Sequence, residues 1–247
     1  MKDLLVITPS RGRPGRLGKM LDACLELATA DTDVAVGIDD NDDDLDGYRE
    51  AAANHRERIR WFYGPRAGLG EWTNRLAVRY ARPGDGDGDR PRYRAFASFG
   101  DDHLPRTRGW DERLLAAIDQ MGGTGIAYGD DLFMGQNLPT APVVSADIVA
   151  ALGWMCEPSL HHMYVDNVWA DLGRGADCLA YVPDVVIEHV HFRAGKTPVD
   201  QVYATAESWT ETDKAAYLRW RERRMGRDVM RVRLRKAARE LRSPGRP

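Results

Sequence analysis

The sequence predicts an α/β fold with a mixed, mainly parallel sheet flanked by helices, and two observations support this. Short apolar segments alternate with stretches of helical length, which is the pattern of βαβ units. The chain has 247 residues, 43% of them apolar and 30% charged, enough to bury one substantial core. We expect one domain over residues 1–208 and a basic helical extension over residues 209–247.

The predicted strands are residues 3–8, 33–38, 59–63, 93–99, 124–128 and 179–187. The predicted helices are residues 14–29, 46–57, 70–81, 108–120, 159–172 and 211–241. Pro14 suits the first turn of its helix, where a missing N–H costs nothing. Residues 82–91 alternate glycine with aspartate between prolines, so we interpret them as a surface linker.

The cysteine content and the first residues bear on the cellular compartment. Cys24, Cys156 and Cys178 are too few and too scattered for a disulfide framework, and no pair has metal-knuckle spacing. The opening apolar run is far shorter than a signal or membrane-spanning segment. We expect a cytoplasmic protein without a transmembrane segment. The strong preference for Arg over Lys is common in GC-rich genomes, so we expect an actinobacterial or phage source. For a phage-encoded protein the expected compartment is the host cytoplasm.

Charge is unevenly distributed along the chain. Residues 219–247 hold twelve Arg or Lys against three acids, a net charge of +9, which leaves about −12 for residues 1–218. Two interpretations of this basic tail stay open. It is either a solvated helix that covers part of the sheet, or a basic surface for an anionic partner.

The most informative motif is Asp101-Asp102-His103, which follows the apolar strand at residues 93–99. Oxygen ligands and one nitrogen at the carboxyl end of a strand suit Mg²⁺ or Mn²⁺ bound with a diphosphate. Ligands of open α/β sheets bind at this end of the strands. A later predicted strand runs into His189 and His191, which lie on one face because they are two residues apart.

Asp101-Asp102-His103 resembles the Asp-x-Asp type motif of GT-A glycosyltransferases, particularly the family 2-like group. Four further segments in the same order extend the resemblance over residues 3–205. The resemblance implies a GT-A fold with a Rossmann-like sheet, a nucleotide-sugar donor such as a UDP-sugar, and Mn²⁺ or Mg²⁺. It further implies that Asp102 binds the cation with help from Asp101 or His103 and from the late histidines, of which His189 fits better than His191.

Residues 4–14 resemble the opening strand and loop that hold the nucleotide in this family. This implies that Thr8, Pro9, Arg11 and Arg13 contact the donor. The two arginines also stand where a helix N-terminus and guanidinium groups could meet phosphate.

Three further segments carry the remaining expectations. Residues 34–42 are similar to the second strand of the family, whose terminal acid, here Asp39, accepts a hydrogen bond from an N–H of uracil or a hydroxyl of ribose. Residues 68–77 resemble the loop and helix beside the nucleotide, with Gly68 allowing close backbone approach and Asn74 as a polar contact. Residues 158–173 are similar to the acceptor-side helix, in which Asp166 matches the catalytic base of inverting members. Asp101 is expected to contact the donor.

The resemblance leaves the acceptor open between hydroxylated bases of DNA, a protein and a glycan. A nucleotidyltransferase is the main alternative, because it shares such a sheet and uses Asp-bound Mg²⁺. Its glycine-rich signature after the first strand is only faintly matched by residues 11–15. A nucleic-acid-binding module is a second alternative, although no helix-turn-helix, zinc-finger or RNA-recognition signature is present.

Overall fold

The computed structural model describes residues 1–51, 56–81 and 93–242. Its eight-stranded mixed sheet has the order β3-β2-β1-β4-β7-β6-β8-β5. The strands are β1 (Lys2–Ser10), β2 (Thr32–Asp39), β3 (Ile59–Gly64), β4 (Tyr93–Ser98), β5 (His103–Pro105), β6 (Ile126–Asp130), β7 (Val143–Ser145) and β8 (Leu179–His189). The predicted α/β fold class is confirmed. The predicted linker at 82–91 lies outside the described residues.

Helices cover both faces of the sheet. In the described part of the chain they are α1 (Pro14–Leu27), α2 (Leu45–Ala51), α3 (Leu69–Ala81), α4 (Trp110–Gln120), α5 (Ala146–Leu152), α6 (Val165–Gly175), α7 (Gln201–Ser208), α8 (Thr210–Arg223) and α9 (Met225–Arg242). None of the helices in these ranges is long and apolar enough to cross a membrane.

Strand direction determines where the polar strand ends meet. β1 is parallel to β2 and β4, and β3 is parallel to β2. β7 is antiparallel to both β4 and β6, while β8 is parallel to β6, so β6 and β8 point the same way as β1. The carboxyl ends of six strands, β1, β2, β3, β4, β6 and β8, therefore lie along one edge of the sheet.

The sheet separates two apolar cores. Along β1, Leu5 and Ile7 face the core formed with α3, α5, α6, α8 and α9, whereas Leu4 and Val6 face the core formed with α1, α2 and α4. All four side chains are fully buried. Because both faces are covered, β1 is an unbroken apolar run rather than an alternating one.

Two predicted helices differ from the structure. The helix predicted over 211–241 is two helices, α8 and α9, separated at Arg224, whose side chain binds the buried Glu157. The helix predicted over 159–172 begins only at Val165. The N–H groups of residues 161–163 instead bind the carboxylate of Asp213, so this stretch stays outside the helix.

Four elements were not predicted: β5, β7, α5 and α7. Each has three to eight residues. Segments of this length contain at most about two helical turns, so hydrophobic periodicity cannot identify them.

Candidate functional site

A cluster of three possible metal ligands lies at the carboxyl edge of the sheet. Asp102 follows β4, His103 begins β5, and His189 ends β8. β5 and β8 pair with His103 opposite His189, which brings the two rings into a stack with centroids 4.1 Å apart. One ligand atom from each of the three residues lies within 4.8 Å of the others.

Asp102 is the central residue of this cluster. Its Oδ2 accepts a hydrogen bond from the hydroxyl of Tyr203 at 2.7 Å and lies 3.6 Å from Nε2 of His189. Burial disfavours the charged carboxylate, but the neighbouring His189 and the hydrogen bond from Tyr203 outweigh it, so the pKa of Asp102 is well below its usual range. Asp102 is therefore ionised at neutral pH, as a metal ligand must be.

The ring of His103 is oriented by the backbone. Its Nδ1 accepts a hydrogen bond from the N–H of Gly100 at 2.9 Å. A Cβ at Gly100 would lie 2.6 Å from Oδ1 of Asp102, so a side chain there would displace this carboxylate. Burial, together with the nearby His189, lowers the pKa of His103 to about 3. The neutral ring then carries its proton on Nε2, which is buried and has no hydrogen-bond partner among the described residues.

His189 presents one nitrogen to Asp102 and the other to Asp131. Its buried Nδ1 lies 3.9 Å from Oδ2 of Asp131 and, within the described ranges, makes no hydrogen bond. Asp131 is itself fixed by the backbone N–H groups of residues 133–135 and by the hydroxyl of Thr140. A histidine between a ligand carboxylate and a second carboxylate is a common arrangement around bound metals.

His191 stands beside this group. Its Nδ1 accepts the N–H of Arg193 at 3.2 Å, and its ring packs against Phe133 and Tyr203. Burial, reinforced by His189, lowers the pKa of His191 to about 4, so this ring is also neutral at pH 7.

The donor set fits a divalent cation. Oδ2 of the ionised Asp102 and Nε2 of His189 are 3.6 Å apart, too far for a good hydrogen bond and close enough to share one ion. Nε2 of His103 and Nδ1 of His189 are buried and have no hydrogen-bond partner among the described residues, which is rare for buried polar atoms. The protonated Nε2 of His103 is thus available to donate to an incoming oxygen.

Asp101 points away from this cluster, towards the loop after β1. It accepts a hydrogen bond from Ser10 at 2.7 Å and contacts Arg13 at 3.2 Å. Arg13 in turn forms a fork with Asp200, the N-cap of α7, and its guanidinium lies 4.0 Å above the ring of Tyr203. Burial and the charge of Asp102 raise the pKa of Asp101 to about 6. These contacts attach α7 to the candidate site.

Asp39 ends β2, where its two oxygens have different partners. Oδ1 accepts the indole N–H of Trp72 at 2.8 Å and the backbone N–H of Ala67 at 3.0 Å. Oδ2 accepts a hydrogen bond from the guanidinium of Arg11, whose side chain is one-third exposed. On the neighbouring strand, the hydroxyl of Thr8 is buried without a partner among the described residues, and Pro9 follows it.

Gly68 and Asn74 have contacts within the protein. A side chain at Gly68 would come within 2.9 Å of the carbonyl oxygen of His161, so the close approach at this glycine is to the chain itself. The amide of Asn74 accepts the N–H groups of Met155 and Cys156 and donates to the carbonyl of Cys156. Asn74 therefore fixes the turn before α6, a role that the sequence did not predict.

Asp166 lies in the first turn of α6 and is partly buried. Burial raises the pKa of Asp166, and the charges of His189 and Asp131 act on it. His162, in the loop before α6, is within reach of the charges of Asp102 and His189, and burial lowers its pKa. The start of α6 therefore faces the same edge of the sheet as the candidate metal ligands.

Four residues of this region were missed by the sequence analysis: Asp131, His162, Asp200 and Tyr203. Asp131 follows a predicted strand, the same signal that identified Asp101 and Asp102, and could have been found. Asp200 and Tyr203 belong to the eight-residue helix α7, and nothing in the sequence indicates that it folds over the site.

A cavity of about 560 Å³ lies elsewhere, between the starts of β6 and β8. Tyr128, Arg174, Leu179 and Tyr181 are among its lining residues, and none of the predicted site residues contributes to it. The candidate chemistry is therefore at the carboxyl edge and not in this cavity.

Comparisons with known proteins agree with the fold. No family model matches the sequence, and no curated protein matches it either. Among solved structures, TarS from S. aureus superposes with a TM-score of 0.57 at 10% identity, over 75% of this chain and 36% of that chain. TarS 1-349 in complex with UDP-GlcNAc gives 0.55 at 11% identity, over 80% of this chain and 62% of that one.

A third structure extends the likeness over the whole chain. The mannosyltransferase PcManGT from Pyrobaculum calidifontis, in complex with GDP-Man and Mn²⁺, gives a TM-score of 0.53 at 13% identity, over 100% of this chain and 79% of that chain. The present chain thus spans little more than a third of full TarS. At these identities the likeness shows a GT-A-like fold.

Proposed function

We propose that this chain is a metal-dependent glycosyltransferase that moves a sugar from a nucleotide diphosphate donor, with a UDP-sugar favoured, to a hydroxyl acceptor. The observation that carries the proposal is the Asp102–His189 pair at the carboxyl edge of a GT-A-like sheet. In such sheets this edge binds nucleotides and phosphates. The UDP-GlcNAc and GDP-Man complexes of the structural neighbours support a nucleotide-sugar donor.

Asp102 and His189 are the residues that would hold Mn²⁺ or Mg²⁺, and the ring of His191 lies beside them, with its centroid 4.8 Å from that of His189. When bound, the cation neutralises the charge of the diphosphate as it leaves. His103 has a different task, because its Nδ1 is occupied by Gly100 and its Nε2 carries a proton. That N–H donates to an oxygen of the donor diphosphate.

The nucleotide would lie along the ends of β1 and β2, over Thr8 and Pro9 and towards Gly68. Oδ2 of Asp39, the oxygen that also accepts from Arg11, accepts a hydrogen bond from the base or the ribose. Arg11 is exposed enough to turn from Asp39 to the donor. Arg13 and Asp101 lie beneath the proposed phosphate site. Asp101 is bound by Ser10 and Arg13, and Arg13 also binds Asp200 at the start of α7.

Asp166 is the proposed base. It stands at the start of α6 in a partly buried position, and its pKa is raised, which favours proton acceptance. As the sugar carbon becomes oxocarbenium-like, the carboxylate of Asp166 accepts the proton of the acceptor hydroxyl. Transfer by this route inverts the anomeric centre.

The test is a screen of nucleotide sugars with Mn²⁺ that measures nucleoside diphosphate release, followed by mass analysis of DNA, protein and glycan acceptors. Asp102→Asn is expected to abolish turnover and metal-dependent nucleotide binding. Asp184→Asn, at an exposed position on β8, serves as the matched control. Pyrophosphate release would instead identify a nucleotidyltransferase. Nucleotide binding that is insensitive to chelator and to Asp102→Asn would contradict the metal-bridged site.

A further inference from the structure

The outer face of α9 carries a row of exposed apolar side chains. α9 buries Val229 and Val232 against the rest of the protein, while Met230, Leu234 and Leu241 are exposed by 50%, 63% and 82%. At about 100° per residue these three side chains lie within about 40° of one another, opposite the buried face. Isolated exposed apolar residues are common, but a row along one helix indicates a contact surface.

Arginines border this row on both sides. Arg227 and Arg231, which also pair with Asp228, lie along one side. Arg233 lies along the other side next to Glu240, and Arg235 and Arg242 lie beyond Arg231 in the helical projection. Arg233, Arg235 and Arg242 form no ion pair with any residue in the part of the chain that the structure describes. The row is therefore an apolar strip between cationic borders.

We propose that the outer face of α9 docks on an anionic membrane surface, with the helix lying in the plane of the interface. Met230, Leu234 and Leu241 enter the layer of headgroups, and the bordering arginines pair with lipid phosphates. With 18 residues, α9 is about 27 Å long, and the strip from Met230 to Leu241 runs along about 17 Å of it. An interfacial helix needs these two features together: an apolar strip and cationic borders.

Two other occupants match the face less well. Duplex DNA would place its charged backbone against the exposed apolar strip. A second copy of this chain, packed strip to strip, would bring arginine borders together and be opposed by like charge. An anionic bilayer satisfies both the strip and its borders.

This inference is independent of the proposed catalytic function. No candidate site residue lies on α9, and the strip faces away from the core that supports the site. Membrane docking can therefore be measured without donor, metal or acceptor. Substitutions on the strip are expected to leave the melting temperature unchanged, because the replaced side chains are exposed.

The first experiment is co-sedimentation of the protein with phosphatidylcholine vesicles, with and without phosphatidylglycerol, at low and high salt. We expect binding to the anionic vesicles, weakened by salt, and its loss in Met230→Ser combined with Leu234→Ser. Leu218→Ser, on α8 and likewise 50% exposed, is the matched control. Each of Arg233→Gln, Arg235→Gln and Arg242→Gln is expected to lower the partition coefficient about fivefold. Arg49→Gln is the matched control and should leave the partition coefficient unchanged, because Arg49 is exposed on the opposite side of the sheet.

A second experiment reports insertion directly. The three native cysteines are buried, so an environment-sensitive dye will label an introduced surface cysteine selectively. Dye on Leu234→Cys is expected to shift to shorter wavelength with phosphatidylglycerol vesicles, and dye on Leu218→Cys to stay unchanged.

Four results would overturn the membrane proposal. These are equal binding to vesicles with and without phosphatidylglycerol, vesicle binding that survives the double serine substitution, an unshifted dye at position 234, and a dimer in light scattering that Leu234→Ser abolishes. Duplex DNA binding without vesicle binding would likewise replace the membrane by nucleic acid as the partner.

Discussion

At the scale of single residues, Asp102 depends on neighbours from distant parts of the chain. The hydroxyl of Tyr203 donates to Oδ2 of Asp102 at 2.7 Å and also lies 3.2 Å from the carbonyl oxygen of Val190. The backbone N–H of Val190 in turn binds the carbonyl of Asp102. Asp102 is thus oriented before any ligand binds, and Tyr203 is a positioning residue for the proposed metal site.

Tyr203→Phe is therefore expected to weaken Mn²⁺ binding about 10-fold, within the range found for partners of metal ligands. The reason is that Asp102 loses the hydrogen bond that fixes its carboxylate. Isothermal titration calorimetry with Mn²⁺ alone measures the effect. Tyr63→Phe, at a half-exposed tyrosine on β3, is the control. Equal Mn²⁺ affinity in wild type and Tyr203→Phe would exclude this role.

Asp166→Asn tests the proposed base. The variant is expected to bind the donor normally but to transfer sugar about 10²–10⁴-fold more slowly, the usual contribution of a positioned proton acceptor. Donor affinity from calorimetry and transfer rate from product mass separate the two effects. Near-normal transfer would remove Asp166 from the mechanism and leave another carboxylate or His162 as the base.

At the scale of secondary-structure elements, α8 organises the loop that leads into α6. Asp213 on α8 is fully buried and accepts the backbone N–H groups of His161, His162 and Met163, together with the ring of His161. One carboxylate therefore fixes the segment that brings His162 and Asp166 to the candidate site. Burial opposes its charge, but these hydrogen bonds outweigh burial and lower the pKa of Asp213.

Asp213→Asn is expected to lower the free energy of unfolding by about 3 kcal/mol at pH 7, because an amide cannot accept all these N–H groups. A carboxyl whose pKa is lowered by folding stabilises the folded state at pH values above its unfolded-state pKa of about 4. This stabilisation is lost as the pH falls through the lower pKa of the folded state. The difference between wild type and variant should therefore shrink below about pH 4. Urea unfolding at several pH values measures this difference in the free energy of unfolding. Glu211→Gln is the control, because Glu211 is exposed in the same turn of α8.

The same elements show what the sequence could predict. Asp101, Asp102 and His103 are adjacent and directly follow an apolar strand, so their chemistry and position could be inferred from sequence alone. Tyr203 lies about a hundred residues later in a short helix, and the local sequence there indicates no more than a packing residue. Asp213 looks like one more acid on a polar helix, since only the tertiary fold shows that it is buried. Contacts between distant segments have no signature in local sequence pattern.

At the scale of the whole molecule, the sequence left two interpretations of the basic tail open: a helix that covers part of the sheet, or a basic surface for an anionic partner. The structure shows features that are relevant to each. Arg224 pairs with Glu157, Arg239 with Asp147 and Arg221 with Asp171, so part of its charge is matched by the acidic body. Arg233, Arg235 and Arg242 of α9 form no ion pair within the described ranges, and they border the outer face where docking is proposed. One helix thus packs and presents a surface at once, with the two tasks on opposite faces.

The packing role of the tail leads to a prediction about stability. Trp220 is fully buried in the core beside α6, and its indole N–H donates to the buried Asp228. Trp220→Ala is expected to lower the free energy of unfolding by about 3–5 kcal/mol, as for other large aromatic residues in cores. Trp209→Ala, at a position that is 37% exposed, should cost clearly less.

Removal of residues 209–247 extends this test to the predicted boundary after residue 208. Because the deletion uncovers the core under Trp220 and Val232, we expect the truncated chain to be poorly soluble and to lack a cooperative thermal transition. Calorimetry and size-exclusion chromatography of the two chains measure this directly. A truncated protein with an unchanged melting temperature would instead mean that the tail is a separable extension, and the buried surface of α8 and α9 would then contribute little to the stability of the sheet.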